Sequence, residues 1–206
     1  MTADPTAYRH FAGLVFDCDG TLADTMPAHY TAWRETAARH GLTFPEPRFY
    51  ALGGVPAEHI VRLLADEQGV AISDPAAVAH EKEQAFAAHL ESVAPIEPVL
   101  AIAQAYRGVT PMAVATGGMR WLVERSLRQL EIFSWFDALI AAEDVTEPKP
   151  AAETYERAAA ALGVPADRCC AFEDSEPGLA SAREAGMTVV DIRELRAAEP
   201  DGQSTR

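Results

Sequence analysis

The sequence predicts an α/β fold, a parallel sheet with helices on its faces, interrupted once by an inserted helical subdomain. Three observations carry that expectation. Short and nearly all-apolar runs recur along the chain, as they do in strands buried on both faces of a parallel sheet. Between them lie stretches with apolar residues three and four apart, the period of an amphipathic helix, and alternation of the two requires crossover helices. One interval, directly after the first apolar run, is far longer than an ordinary crossover and is helical throughout.

Phe11 to Phe16 is the first strand by its apolar run. The long interval from Met26 to Leu90 holds helices over Pro27 to His40, Ala57 to Gln68 and Pro75 to Leu90. Gly41, Pro45, Pro47, Gly53, Gly54 and Gly69 separate them, residues that end helices and favour turns. Pro95 to Pro98 is the expected return hinge, and Pro98 to Tyr106 the helix before the second core strand, Met112 to Ala115. A helix over Met119 to Leu130, a strand over Ala138 to Ala141 and a helix over Ala151 to Leu162 follow. Cys169 to Phe172, the helix Pro177 to Ala185 and the strand Thr188 to Ile192 complete the alternation. The polar tail Glu199 to Arg206 is expected to fray. The division is thus a core from residues 1–24 and 95–206 and a helical insert over residues 25–94.

Of the 206 residues, 49% are hydrophobic and 23% charged, enough for a sizeable core without disulfides or a structural metal. Lys and Arg number 17 against 31 Asp and Glu, a formal charge of −14, and there is no long basic run. Nucleic acid and anionic membrane are therefore poor partners, because both demand clustered cations. Cys169 and Cys170 are adjacent and Cys18 is far upstream, with neither a C-x-x-C pair nor zinc-site spacing, which fits reduced thiols. Met1 to His10 lacks the apolar run of a signal peptide, and no stretch approaches a membrane-spanning length. A cytoplasmic location is the expectation.

Chemistry concentrates at strand ends. Asp17-Cys18-Asp19-Gly20-Thr21 follows the first strand, so two carboxylates arrive where open α/β sheets place their ligands. An Asp-Gly turn explains Asp19 and Gly20 by itself, but not Asp17, a charge behind a nearly unbroken apolar run. Thr116-Gly117-Gly118 follows the second strand and offers a hydroxyl and glycine-flanked amides just before a helix, the makings of a small anion site or of a simple helix cap. Lys149 stands between Pro148 and Pro150, which stiffen its loop, and Pro150 can open the next helix. Glu173-Asp174-Ser175 ends the fourth strand. A helix cap needs one acid; four acids at two strand ends repel unless a hard cation such as Mg²⁺ joins them. An acid pair, a hydroxyl, a lysine and a second acid pair at consecutive strand ends point to phosphoryl transfer. One aspartate attacks phosphorus, lysine and metal neutralise its oxygens, and a second aspartate protonates the departing alkoxide.

These residues resemble the four motifs of the haloacid dehalogenase (HAD) superfamily: FDCDGTLADT at Phe16 to Thr25, VATGG at Val114 to Gly118, KP at Lys149 and Pro150, and FEDSEPG at Phe172 to Gly178. The resemblance implies a Rossmann-like core and a mobile lid, the helical insert being similar to a C1-type cap. It also implies that Asp17 is the phosphorylated nucleophile, Asp19 the general acid and base, Thr116 with Gly117 the phosphate-binding group and Lys149 the charge-stabilising cation. The implied Mg²⁺ ligands are Asp17, Asp19 through its backbone carbonyl, and Asp174, with Glu173 as an outer or additional ligand. Asp19 speaks for phosphate esters over halides, because chloride leaves without a proton whereas an alkoxide needs one.

Within the superfamily the chain is most similar to the β-phosphoglucomutase-like group, and there to bacterial fructose-1-phosphate and 6-phosphogluconate phosphatase-like proteins. The segments from His29 to Glu35, PMAVATGG, FDALIAAEDV and AREAGM carry that similarity. The resemblance places His29 near the cleft, where it positions the acid–base aspartate, whereas Trp33 reads as core of the insert. Similar mutases hold a second phosphate with basic residues in a Leu-Lys-Gly-Val-Ser-Arg-like loop. Here that loop is Leu52-Gly53-Gly54-Val55-Pro56-Ala57, without either cation, although Arg34, Arg62 and Arg120 could meet a second anion. The function so implied is a Mg²⁺-dependent phosphatase for small phosphorylated sugars or related metabolites, acting as a monomer; a phosphomutase and a non-catalytic phosphate-ligand sensor are the alternatives.

Overall fold

The computed structural model describes residues 4–53 and 55–197. In chain order the strands are β1 Gly13–Phe16, β2 Ala23–Asp24, β3 Ala94–Pro95, β4 Met112–Ala115, β5 Ala138–Ile140, β6 Cys169–Glu173 and β7 Thr188–Asp191. The α-helices are α1 Met26–Arg39, α2 Glu46–Ala51, α3 Ala57–Gln68, α4 Pro75–Ala88, α5 Glu97–Tyr106, α6 Arg120–Gln129, α7 Glu153–Leu162, α8 Glu176–Glu184 and α9 Ile192–Ala197. The chain divides into two compact units, Met1–Asp24 with Pro95–Arg206, and Thr25–Ala94.

The first unit is built on a five-stranded sheet in the order β5-β4-β1-β6-β7, with every pairing parallel. β1, β4 and β6 are buried along their whole lengths, which is why their sequences are unbroken apolar runs up to the terminal acid of β6. Successive side chains alternate in direction. Val15, Ala113, Ala115 and Ala171 pack with Tyr155 and Ala158 of α7, while Phe16 and Phe172 stack on each other at 4.6 Å. The chain leaves β1 towards β4 on one side and later reaches β6 on the other, so β1 lies at the topological switch point, where open sheets bind ligands.

The second unit has a core of its own. Trp33 of α1 is buried and meets Phe44 edge to face at 5.4 Å, beside Phe49 of α2, Val61 and Leu64 of α3 and Val78 of α4. No helix among the described residues is long and apolar enough to cross a membrane.

Several boundaries differ from the expectations. β1 starts at Gly13 because the Phe11 N–H closes a turn onto the Tyr8 carbonyl. Pro150 does not open α7: the Ala151 N–H turns back to the Pro148 carbonyl, and the helix starts at Glu153. α4 stops at Ala88, where the His89 N–H reaches Phe86, and the chain tightens into a 3-10 turn over Leu90–Ser92. Ile192 belongs to α9, not to the last strand. α2 was not expected, since Pro45 and Pro47 read as separators; they instead occupy its N-cap and first turn, where a missing N–H is harmless. The tail Glu199 to Arg206 lies outside the described residues.

Candidate active site

In the parallel register Phe16 of β1 is level with Val114 of β4 and with Phe172 of β6. The residues just beyond, Asp17, Thr116 and Glu173, therefore emerge at one sheet edge. The Asp17 N–H continues the ladder to the Phe172 carbonyl at 3.0 Å, so the nucleophile candidate stands on sheet backbone and not on a free loop. Lys149 reaches this edge from the segment before α7, next to a cis bond to Pro150. Its Nζ donates to Asp17 Oδ1 at 2.8 Å, Glu173 Oε2 at 2.7 Å and the Ala115 carbonyl at 3.1 Å.

Glu173, 1% exposed, accepts five hydrogens: Oε1 from the Asp174 and Ser175 amides and the Ser175 hydroxyl, and Oε2 from Lys149 and the Tyr155 hydroxyl. Burial disfavours its charge, but Lys149 and these hydrogen bonds outweigh that and hold its carboxyl below the usual value. Asp17 goes the other way. Burial and then the Glu173 charge push it well up, against the pull of Lys149. Asp174 is pushed up to about 7 by burial and then by Glu173. Burial alone would lower Lys149, yet Asp17, Tyr155 and Glu173 hold it well above its ordinary value.

Asp17, Glu173 and Asp174 bring carboxylate oxygens to within 4.8 Å of one another. A cluster of hard oxygen donors whose negative charge one lysine does not balance fits a hard divalent cation. The glycines of this edge make room for the carboxylates. A Cβ on Gly20 would lie 2.3 Å from Asp174 Oδ2, and its φ of +88° is in any case a glycine conformation. A Cβ on Gly178 would lie 1.9 Å from Glu173 Oε2. Thr21 donates to Asp174 Oδ1 at 3.2 Å. Asp19 is outside the carboxylate cluster: its Oδ2 lies 3.2 Å from the Cβ position of Gly118, and Thr116 Oγ1 lies 3.3 Å from that same point. The Thr116 hydroxyl also accepts the Gly118 N–H at 3.0 Å.

The model of the haloacid dehalogenase-like hydrolases matches residues 11–186, a span that holds every one of these side chains. The chain belongs to that family. It is 40% identical over 189 residues to the fructose-1-phosphate phosphatase YqaB of Escherichia coli, covering 91% of this chain and 100% of that protein. It is 30% identical over 181 residues to hexitol phosphatase A of the same organism, covering 87% of this chain and 82% of the relative. Among solved structures, CbbY from Rhodobacter sphaeroides in complex with phosphate matches with a TM-score of 0.79 at 28% identity, over 94% of this chain and 92% of that one. This hydrolase is an enzyme of the family's phosphatase kind.

In the hydrolase the first unit brings Asp17, Lys149, Glu173 and Asp174 together, and sets Asp19 beside Thr116 with Gly117 exposed next to them. His29 and Arg34 lie on α1 of the second unit. There His29 Nδ1 meets Lys82 Nζ at 2.8 Å and its ring stacks on Phe86 at 3.7 Å, while Arg34 is exposed. Arg120 is tied to Asp144 and to the Leu139 carbonyl, and Arg62 to Glu58. Reading the sequence missed Tyr155, Ser175 and Thr21. Ser175 and Thr21 sat inside quoted motifs, but their partners are set by a fold no motif displays.

Proposed function

We propose that the chain is a Mg²⁺-dependent phosphatase of small phosphorylated sugars or related metabolites, working through an aspartyl phosphate at Asp17. The observation that carries this reading is the ammonium of Lys149 joining Asp17 to Glu173 beside the carboxylate cluster. Hydrolysis of one ester linkage needs a carboxylate held in place, a fixed cation and a second carboxylate nearby; Asp17 and Asp19 follow β1, and Lys149 reaches Asp17 from the segment before α7. The sugar-phosphate class is supported by the names of YqaB and hexitol phosphatase A.

In this reading a carboxylate oxygen of Asp17 attacks phosphorus, the ester P–O bond breaks, and the leaving alkoxide takes a proton from Asp19. Asp19 then takes a proton from water, whose oxygen attacks phosphorus and breaks the bond to Asp17, releasing inorganic phosphate. Thr116 and the Gly117 amide hold the phosphoryl oxygens, and Lys149 neutralises the charge that grows there. A divalent cation at Asp17, Asp174 and the Asp19 carbonyl supplies further neutralising charge on those oxygens. Glu173, its lone pairs filled by five donors, serves to hold Lys149 and the cluster in place. The insert over residues 25–94 takes the role of cap, and His29 and Arg34 of its α1 are the substrate-binding residues of this reading. The sequence from Leu52 to Ala57 carries no cation and Arg120 is tied to Asp144 and the Leu139 carbonyl, which favours hydrolysis over a mutase that needs cations for a second phosphate.

The test is phosphate release from a panel of sugar phosphates with Mg²⁺, run beside EDTA and Asp17→Asn. Release is expected with Mg²⁺ and lost in both controls. Turnover retained by Asp17→Asn would remove the aspartyl-phosphate mechanism, and product isomerisation in place of release would turn the assignment to a mutase.

A further inference from the structure

Tyr155 is the third residue of α7 and is completely buried, packed among Val15, Ala113, Ala115, Ala158 and Ala171. These small neighbours accept the whole ring, and a phenylalanine would fill the same space without carrying a hydroxyl that must be satisfied. That hydroxyl donates to Glu173 Oε2 at 2.8 Å, the same oxygen that receives Lys149 at 2.7 Å. The Lys149 ammonium lies 3.5 Å from the phenol oxygen and 4.9 Å from the centre of the ring.

An ammonium has three hydrogens, and here they meet three closer oxygens, on Asp17, Glu173 and Ala115. A phosphoryl oxygen arriving at Asp17 can receive a hydrogen from Lys149 only if one of these is given up. Surrendering the bond to Glu173 would leave Oε2 of a buried carboxylate bare, at the full desolvation penalty of a charged group. The Tyr155 hydroxyl removes that penalty, because it keeps Oε2 hydrogen-bonded when Lys149 turns away.

The geometry points to Tyr155 as a positioning residue of the phosphatase, whose hydroxyl holds Glu173 so that Lys149 can transfer a hydrogen bond to the phosphoryl group as its charge develops. This rests on the reading of Lys149 given above. It assigns the phenol a part in the transition state and not only in packing.

Tyr155→Phe tests it, since the ring and its volume are kept. The expected result is a fall in kcat of about tenfold with KM nearly unchanged, as for loss of one hydrogen bond to a charged group. Inhibition by orthovanadate, which adopts the five-coordinate geometry of the transferring phosphorus, weakens by about the same factor, whereas inhibition by inorganic phosphate does not. In a Glu173→Gln background, where the charge on that oxygen is gone, Tyr155→Phe has no further effect on vanadate affinity, read as direct binding by calorimetry so that no turnover is needed. Unchanged kcat and vanadate inhibition overturn the proposal, as do equal losses in the two backgrounds, which is what simple packing produces. Asp17→Asn, assayed alongside, separates the two readings: activity kept there defeats the mechanism itself, while an inactive Asp17→Asn with a Tyr155→Phe enzyme like wild type defeats only the role of the phenol.

Discussion

Gly178 and Gly117 are glycines for opposite reasons. The space beside Gly178 is filled by the Glu173 carboxylate, with a Cβ placed 1.9 Å from Oε2, whereas a Cβ on Gly117 would meet nothing within 4 Å. Gly178→Ala should therefore displace Glu173 and destabilise the fold by about 1–3 kcal/mol, the range of an overpacked core, with turnover lost because Lys149 loses its seat. Gly117→Ala should leave the melting temperature where it is and instead weaken inhibition by inorganic phosphate, since its amide is proposed to hold the phosphoryl oxygens. Thermal melts of both variants with a phosphate titration decide this, and equal melting losses would contradict the distinction. At this scale the sequence showed which residues carry charge, through the acids that break apolar runs. It could not show Thr21 on Asp174, 153 positions apart, or Tyr155 on Glu173, 18 apart, because those pairings exist only once β1, β6 and α7 are assembled.

Elements differ in what their caps touch. Ser175 caps α8 by accepting the Gly178 N–H at 3.2 Å, and the same hydroxyl donates to Glu173 Oε1 at 2.9 Å. Asp74 caps α4 in the other unit, accepting the Ala77 N–H at 2.9 Å. Losing either cap costs about 1 kcal/mol of stability, so Ser175→Ala and Asp74→Ala should be destabilised alike in urea melts. Only Ser175→Ala should also lower kcat, because only that hydroxyl reaches the acids of the site; a parallel fall in Asp74→Ala would deny the link. The strands of the first unit were legible for a physical reason, since burial on both faces leaves β1, β4 and, as far as Phe172, β6 no polar positions to blur the pattern. α2 was not legible, because prolines at a helix start and prolines in a loop look alike in sequence. The start of α7 was equally hidden, for the turn at Ala151 depends on the Pro148 carbonyl and not on the apolar period.

For the whole molecule the decisive quantity is charge. The chain carries −14 overall, and Asp17, Glu173 and Asp174 converge at one sheet edge, where Lys149 pairs with the first two. Asp174 titrates at about 7 in the fold, raised from 3.8 by burial and then by Glu173, and Asp17 is raised by the same causes. A carboxyl whose folded pKa is raised binds its proton more tightly in the native state. Its stabilising contribution is complete below the unfolded value and is lost as pH climbs through the folded one. Glu173, held below 4.5, is ionised throughout that window and adds no slope. The metal-free protein should thus lose thermal stability between about pH 5 and about pH 8. On the proposed function a divalent cation would take the place of the protons and, by binding only the folded cluster, would stabilise the fold by mass action. Mg²⁺ should then raise the melting temperature more at the upper end of that range than at the lower, where it competes with bound protons. Asp174→Asn should reduce the pH slope to the part that Asp17 carries and lose the Mg²⁺ shift, since the Asp174 carboxylate contributes to both. Melting curves of the two proteins with Mg²⁺ and with EDTA measure this directly. A Mg²⁺ shift of equal size across the range, or one that survives in Asp174→Asn, would place the cation somewhere other than among these three acids.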